Sequence, residues 1–237
     1  MHQEKVLLII PAYNEAQNIK AVVDMIRAAG DYDYVVINDG SSDSTAKICR
    51  DYGFNLVDLQ VNQGLAGAFQ TGMKYAKMNG YDYAIQFDAD GQHLPEYIAP
   101  MLKEINKGYD IVIGSRFFNV KKAKSMRSFG AEIISLAILL TTGKRIKDPT
   151  SGMRLYNKRL ISVFADNINY GPEPDTMAFL MRSGISISEV NVQMRERMAG
   201  ESYLTTIASI KYMLRMTLSI LLVQFARNKI FLKGEAV

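Results

Sequence analysis

The chain alternates between short continuous apolar runs and longer stretches in which apolar residues recur every three or four positions. The first run, Val6 to Ile10, has no polar interruption, the pattern of a strand buried on both faces. After Pro11-Ala12-Tyr13-Asn14, Ile19, Val22, Val23 and Ile26 fall on one face of a predicted helix that Gly30 stops. Tyr34 to Ile37, Phe54 to Leu59 and Tyr83 to Phe87 read as further strands. Between them lie helical faces made first by Thr45, Ile48, Cys49 and Tyr52, and then by Leu65, Ala68, Phe69, Gly72, Met73 and Ala76. Strands alternating with helices predict βαβ units, hence a Rossmann-like α/β architecture with a mostly parallel sheet flanked by helices.

The second half is less regular. Ile111 to Ile113, Met153 to Tyr156 and the alternating Ile185 to Met194 read as strands, Glu132 to Leu140 as a strongly apolar helix and Thr176 to Arg182 as another. From Leu204 onward the pattern is helical. With 237 residues to bury, one sizeable core is expected, organised as a domain over 1–202 and a C-terminal helical appendage over 203–237.

Composition excludes several classes. Hydrophobic residues at 48% and charged residues at 22% are those of a globular chain and exclude disorder. Cys49 is alone, so no internal disulfide forms, which fits a reducing compartment, and one cysteine with two histidines leaves little for a zinc site. The N-terminal apolar run is too short for a signal peptide. No stretch of eighteen uncharged apolar residues exists to span a membrane. The net charge of +4 is modest but unevenly spread. No acid lies between Asp110 and Glu132, where Lys121, Lys122, Lys124 and Arg127 cluster, nor between Glu201 and Glu235, where Lys211, Arg215, Arg227, Lys229 and Lys233 stand. Such excess suits phosphate ligands or an anionic membrane surface, the competing reading being a solvated basic face. Nucleic acid is set aside, since no nucleic-acid-binding motif accompanies the charge.

Ligands of parallel sheets bind at the carboxyl ends of the strands. Three polar clusters lie there: Tyr13-Asn14-Glu15, Asn38-Asp39-Gly40 and Asp88-Ala89-Asp90. Asp88 and Asp90, where a strand opens into a loop, can reach one hard divalent cation, Mg²⁺ or Mn²⁺, when diphosphate oxygens complete its shell; Gln92 could add an oxygen. The alternative is a pair of solvated turn aspartates. His93 reads as a structural, hydrogen-bonding residue. Asp39 could accept a hydrogen bond from a base or ribose, while Ser42 or Asp43 caps the following helix. Asn62-x-Gly64-x-x-Gly67 does not make a dinucleotide loop, which would have to follow the first strand, where Pro11-Ala12-Tyr13-Asn14 stands instead.

Pro11-Ala12-Tyr13-Asn14-Glu15, Asn38-Asp39-Gly40-Ser41-Ser42-Asp43, Asn62-Gln63-Gly64, Asp88-Ala89-Asp90-Gly91-Gln92-His93 and Gly114-Ser115-Arg116 occur in this order. They are followed by Asp148-x-Thr150-Ser151-Gly152-Met153-Arg154 and Arg197-x-x-Gly200-x-Ser202. The ordered set, over roughly residues 5 to 202, resembles glycosyltransferase family 2, and within it the dolichyl- or polyprenyl-phosphate sugar synthases. The resemblance implies a GT-A fold, with a nucleotide-sugar half over 1–93 and an acceptor half over 94–202. It implies that Pro11, Tyr13 and Glu15 line the nucleotide pocket, that Asp39 holds the base, and that Asp88, Asp90 and Gln92 carry the metal and the donor diphosphate. Arg116, Arg127 and Ser151 would face the acceptor phosphate, and Arg197 would reach the diphosphate from a segment around Gly200. A leaving nucleoside diphosphate develops negative charge that a cation and an arginine fork stabilise, so these roles are chemically coherent. The competing role for Arg197 is a surface ion pair with Glu196 or Glu201.

Transfer to a sugar hydroxyl needs a general base, for which Asp175 or Glu173 could serve, whereas a phosphate acceptor needs none. Asp175 is equally suited to cap the helix that follows. Leu204 to Ala226 is apolar apart from Lys211 and Arg215, which disfavours a spanning helix and favours an amphipathic one lying on the membrane or packed on the domain or a partner. The expectation is therefore an inverting transferase that moves a hexose from a UDP- or GDP-sugar to polyprenyl phosphate, cytoplasmic and peripheral on the inner face of the membrane. A small membrane-anchoring subunit or a homo-oligomer would be its possible assembly. A saccharide-hydroxyl acceptor is the first alternative, and a non-catalytic nucleotide-sugar-binding subunit the second.

Overall fold

The computed structural model describes residues 4–117, 126–167, 171–199 and 206–223, with side chains of 126–128, 206–207 and 223 left aside. The basic run Lys121, Lys122 and Lys124, the side chain of Arg127, the Gly200-x-Ser202 segment and the cations from Arg227 onward lie outside the described residues.

The first half alternates as the periodicity requires: β1 (Val6–Ala12), α1 (Ile19–Ala29), β2 (Asp33–Asp39), α2 (Thr45–Asp51), β3 (Leu56–Leu59), α3 (Gly64–Met78) and β4 (Tyr83–Gln86). A 3₁₀ turn (Pro95–Tyr97) leads into α4 (Ile98–Ile105). Then come β5 (Ile111–Ser115), α5 (Met126–Thr142), β6 (Arg154–Asn157), α6 (Lys158–Asp166), α7 (Pro174–Arg182), β7 (Ile187–Asn191) and α8 (Thr206–Leu218), which runs into a π-helical turn (Ser219–Val223).

The seven strands form one sheet in the order β3-β2-β1-β4-β6-β5-β7. Only β6 runs antiparallel to its neighbours, pairing with β4 and β5; every other pair is parallel. The sheet is thus mostly parallel, as expected. Two boundaries differ from the sequence reading. β4 ends at Gln86 and frees Phe87 to lead into the acidic loop. β7 spans only Ile187–Asn191 because its one partner, β5, offers five residues to pair with, from Ile111 to Ser115.

Alternate side chains of β1 and β2 serve two cores. Leu7, Ile9, Val35 and Ile37 pack with Phe69 and Met73 of α3, Ile134 and Ile138 of α5, Phe164 of α6 and Phe179 of α7. Leu8, Ile10 and Val36 pack with Ile19, Val22, Val23 and Ile26 of α1, Cys49 of α2, and Ile98, Met101 and Ile105 of α4. α8 lies on α5 and α7 and adds Met216, with Ile220 of the π-helical turn, to the first of these cores.

Candidate active site

The loops that leave β1 and β2 are stitched to each other by their own polar side chains. Asn14 adopts φ 55°, a left-handed conformation that asparagine tolerates better than most residues. Its amide donates to Ser41 Oγ at 2.9 Å and its Oδ1 accepts from the Ser42 amide at 2.9 Å. The Glu15 amide donates to Thr45 Oγ1 at 2.9 Å, and Asp43 Oδ2 accepts from the Ala16 amide at 3.1 Å. Asp43 Oδ1 also accepts from the Thr45 amide at 2.9 Å, so it serves the start of α2 although Ser44 occupies the cap position.

Asp39, at the end of β2, is buried and its Oδ1 accepts from the Gln63 amide at 2.7 Å, while its carbonyl accepts from Asn62 Nδ2 at 3.1 Å. It therefore anchors the loop before α3, a task the sequence reading did not assign to it. Gly40 has to be glycine: φ is 64°, and a Cβ there would sit 2.6 Å from the Asn62 nitrogen and 2.7 Å from the Val61 carbonyl carbon. Pro11 pairs with Ile37 one residue before β1 ends at Ala12, and Tyr13 stands partly exposed on the rim beyond it.

Beyond β4 the chain turns through Asp88-Ala89-Asp90. Gln86 Nε2 donates to Asp88 Oδ1 at 3.1 Å. His93 is buried, and its Nδ1 accepts from the Asp88 amide at 2.9 Å, the structural role expected of it. Asp90 Oδ1 accepts from the Gln92 amide at 3.0 Å. Burial pushes the Asp90 carboxyl above its usual range; the neighbouring Asp88 charge pushes the same way, against the Gln92 bond, His93 and Arg197. Asp88 also lies against the loop before β6, since a Cβ on Gly152 would come within 2.6 Å of Asp88 Oδ2. Among the described residues no group of three His, Cys, Asp or Glu side chains could by itself hold a metal. A hard cation at Asp88 and Asp90 would therefore have to take its remaining oxygens from elsewhere, such as a bound ligand. Gln92 Nε2 donates to the Arg195 carbonyl at 3.3 Å, which leaves the amide oxygen as the end that could serve such a cation.

The segment after β7 crosses back over this loop. The Arg195 amide donates to the Gln92 carbonyl at 3.1 Å and the Met198 amide to the Asp90 carbonyl at 3.2 Å. Gly91, at φ 79°, lies so close beneath that a Cβ would sit 2.4 Å from Met198 Sδ. This crossing delivers Arg197, whose Nη2 pairs with the Glu15 carboxylate and whose Nε donates to the Ala199 carbonyl at 3.1 Å. Asn18 Nδ2 completes the junction, donating to Glu15 Oε2 at 2.7 Å and to the Ala199 carbonyl at 3.1 Å. Arg197 thus makes an ion pair across the site, with Glu15; Glu201, one partner of the competing reading, lies outside the described residues. Burial raises the Glu15 carboxyl, opposed by the Asn18 bond and the Arg197 charge.

On the far side, Arg116 follows β5 and grips Asp148 with two bonds, Nε to Oδ2 at 2.7 Å and Nη2 to Oδ1 at 2.8 Å; Nη2 also donates to Thr150 Oγ1 at 3.0 Å. Burial works against the Arg116 charge, but Asp148, with a smaller contribution from Asp88, more than offsets it, so the guanidinium is held firmly charged. Ser151 donates its hydroxyl to the Gly114 carbonyl at 2.6 Å, fixing the same loop to β5. Arg154 of β6 is fully buried, and its two terminal nitrogens donate to the Pro172 and Pro149 carbonyls at 2.6 Å and 2.8 Å. Sequence reasoning gave Arg154 no role; its signal was a lone cation between Met153 and Leu155 in an apolar strand.

Glu173 and Asp175 follow the Pro172 carbonyl that Arg154 holds, at the start of α7. Glu173 is the cap residue of α7 but makes no side-chain cap bond, and Asp175 lies in the first turn. Ser219 donates its hydroxyl to Asp175 Oδ2 at 2.7 Å, and the Tyr212 hydroxyl bonds Glu173. Both acids thus hold α8 and the turn beyond it. The structure therefore unites Glu15, Asp90 and Arg197 on one side and Asp88, Arg116 and Asp148 on the other, around the mouth of β1, β4 and β5.

The sequence profile described as Glycosyl transferase family 2 matches residues 7–164. A UDP-N-acetylglucosamine–dolichyl-phosphate N-acetylglucosaminyltransferase of Methanococcus voltae is 30% identical over 81% of this chain and 86% of its own length. An undecaprenyl-phosphate mannosyltransferase of Micrococcus luteus is 31% identical over 84% of this chain and 86% of its own. A similar fold occurs in glucosyl-3-phosphoglycerate synthase from Mycobacterium tuberculosis, solved with Mn²⁺, UDP-glucose and phosphoglyceric acid. The TM-score is 0.70 at 17% identity, over 95% of this chain and 81% of that one. The sheet and its flanking helices are accordingly those of the GT-A fold.

Proposed function

Because the chain belongs to glycosyl transferase family 2 and is a glycosyltransferase, we propose that it moves a hexose from a UDP- or GDP-sugar to polyprenyl phosphate, with inversion at the sugar. The observation that supports this reading is that two guanidiniums flank the Asp88–Asp90 loop: Arg197, in the segment whose Met198 amide bonds the Asp90 carbonyl, and Arg116, whose charge Asp88 supports. A phosphate acceptor and a diphosphate leaving group each need a cation, and two separate arginine positions suit two anionic groups. Two relatives, 30% and 31% identical over the matched residues, are named for dolichyl and undecaprenyl phosphate.

In this proposal Pro11, Tyr13 and Glu15 line the nucleotide, and the carboxylate of Asp39 meets the base while anchoring the Gln63 loop. Asp88, Asp90 and Gln92 would hold Mg²⁺ or Mn²⁺, which when bound neutralises charge that builds on the departing diphosphate. Arg197 exchanges Glu15 for the diphosphate, and the 195–199 segment over Gly91 shields the donor from water. Arg116, kept charged by Asp148, orients the acceptor phosphate together with Arg127 and with Ser151 in the loop that Ser151 pins to β5. The acceptor oxygen is already ionised, so no side chain has to remove a proton. The enzyme would act on the cytoplasmic face of the membrane that holds its lipid acceptor.

The engagement of Asp175 with Ser219 and of Glu173 with Tyr212 supports the phosphate acceptor, because both carboxylates already serve the C-terminal helix. Rates of two variants with polyprenyl phosphate test this. Asp175→Asn, which keeps an oxygen for Ser219, should retain much of the parent rate, and Arg127→Ala should lose most of it. A saccharide-hydroxyl acceptor requires the opposite, with Asp175→Asn falling about 10²–10⁴-fold for loss of a general base.

A further inference from the structure

Asp148 holds Arg116, but it stands between α5 and β6 in a stretch with neither helix nor strand, so its backbone has no ladder to keep it in place. Side chains from the surrounding elements supply that support. The buried Ser135 of α5 donates its hydroxyl to the Ile146 carbonyl at 2.5 Å, and Arg154 of β6 donates to the Pro149 carbonyl at 2.8 Å. Between these two points stands Glu189 of β7. Its Oε2 accepts from the Lys147 amide at 2.8 Å and its Oε1 from the Asp148 amide at 2.9 Å.

Strand order brings Glu189 to this loop. It pairs with Ile113, near the end of β5 that leads into Arg116. Residues paired across neighbouring strands share a face of the sheet, and Ile113 faces the core that includes Ile134 and Ile138 of α5. Glu189 therefore leaves β7 on the side from which the chain returns after α5. A carboxylate offers two acceptors side by side and no donor, the complement of two successive N–H groups. The Asp148 amide needs such a partner, because Asp148 is completely buried and an orphaned donor there is costly. Beyond that amide, the Asp148 carboxylate accepts from the Arg116 amide, Nε and Nη2. One chain of bonds thus runs from Glu189 through Asp148 to the Arg116 guanidinium.

We propose that Glu189 is a positioning residue for the acceptor site: it fixes the Lys147–Asp148 backbone where Asp148 presents Arg116 to the acceptor phosphate. The identity of that anion rests on the lipid-phosphate reading above. β7 keeps its own place through its parallel ladder with β5, in which the Glu189 side chain has no part. Removing the carboxylate should therefore disturb Arg116 and leave the donor side, reached through the segment after β7, as it was.

Steady-state kinetics with a short-chain prenyl phosphate, donor and acceptor varied separately, test the role. Glu189→Ala, with its fold checked by thermal melting, should lose about ten- to a hundredfold in kcat/KM for the acceptor, chiefly through KM, with the donor KM unchanged. Glu189→Gln keeps the shape and one acceptor oxygen, so it should fall between the parent and Glu189→Ala; it carries the same test if Glu189→Ala does not fold. A purely structural role would shrink the active fraction, lowering kcat with both KM values unchanged, and that pattern overturns the proposal. So does an acceptor KM equal to the parent's. Hydrogen exchange over residues 144–153, read by mass spectrometry without substrate, reports the tie itself. It should quicken in Glu189→Ala, and exchange equal to the parent's shows that Glu189 does not hold the loop. A parent that transfers nothing to a prenyl phosphate refutes the lipid-acceptor reading, and with it the role of Glu189 toward that phosphate. Quickened exchange in Glu189→Ala would then still show the tie, so the two failures are told apart.

Discussion

Asp148→Ala removes the carboxylate that fixes Arg116, and the structure gives the size of the effect. Asp148 is completely buried and accepts from Arg116 Nε and Nη2 at 2.7 and 2.8 Å and from the Arg116 amide at 3.0 Å. Two charge-assisted bonds contribute roughly 1.5–3 kcal/mol each, so their joint loss lies in the range of about 3–6 kcal/mol. The Arg116 side chain is 36% exposed and regains water when released, which argues for the lower end, about 3 kcal/mol. For a domain of this size that corresponds to a fall in Tm of about 6–12 °C. Arg116→Ala leaves the buried carboxylate without its counter-charge and should cost as much or more, about 3–5 kcal/mol. The double variant removes both charges and should be less destabilised than the sum of the two by at least about 2 kcal/mol, because neither is left stranded. Denaturant unfolding of the four proteins measures this coupling. Additivity within about 0.5 kcal/mol would refute the pair as the element that holds Arg116 at the cleft.

Three further outcomes follow from the same geometry. Asp90→Ala should abolish turnover, and chelator should do so reversibly in the parent, with activity regained on adding Mg²⁺ or Mn²⁺; full activity in excess EDTA would contradict the cation site. Arg197→Lys should lose at least about tenfold in kcat/KM, because an ammonium cannot reproduce the planar fork; kinetics equal to the parent would place Arg197 outside the donor site. Gly40→Ala should lower Tm measurably, because its methyl would meet the Val61–Asn62 backbone at 2.6–2.7 Å in a left-handed turn; an unchanged melt would show that the loop before α3 yields.

The first half of the fold was legible because buried strands and one-face helices leave opposite periodicities, and β1 through β4 followed them in order. α4 and α6 were not read, although Ile98, Met101 and Ile105, and Leu160, Ile161 and Phe164, carry helical spacing; both helices are short and lie beside strands of similar composition. The reversal of β6 has no local signature, since a strand's direction is fixed by how its flanking helices cross the sheet. In the site, the acids at the ends of β1, β2 and β4 were visible as polar breaks after apolar runs. Their partners were not. Arg197 meets Glu15 from 182 positions away and Asp148 meets Arg116 from 32, and such pairings are decided by sheet order, which spacing along the chain does not contain. Glu132 to Leu140 read only as a strongly apolar helix, because a sequence shows that a face is apolar but not which side of it the core occupies.

The most direct measurement is identification of the product. The purified protein is incubated with Mn²⁺, a panel of UDP- and GDP-sugars and polyprenyl phosphate, and the lipid fraction is analysed by mass spectrometry and mild acid hydrolysis. The account predicts a lipid carrying one hexose through a single phosphate, formed only in the presence of the cation and absent with Asp90→Ala. A new glycosidic bond to a saccharide, with the lipid phosphate unchanged, would contradict it.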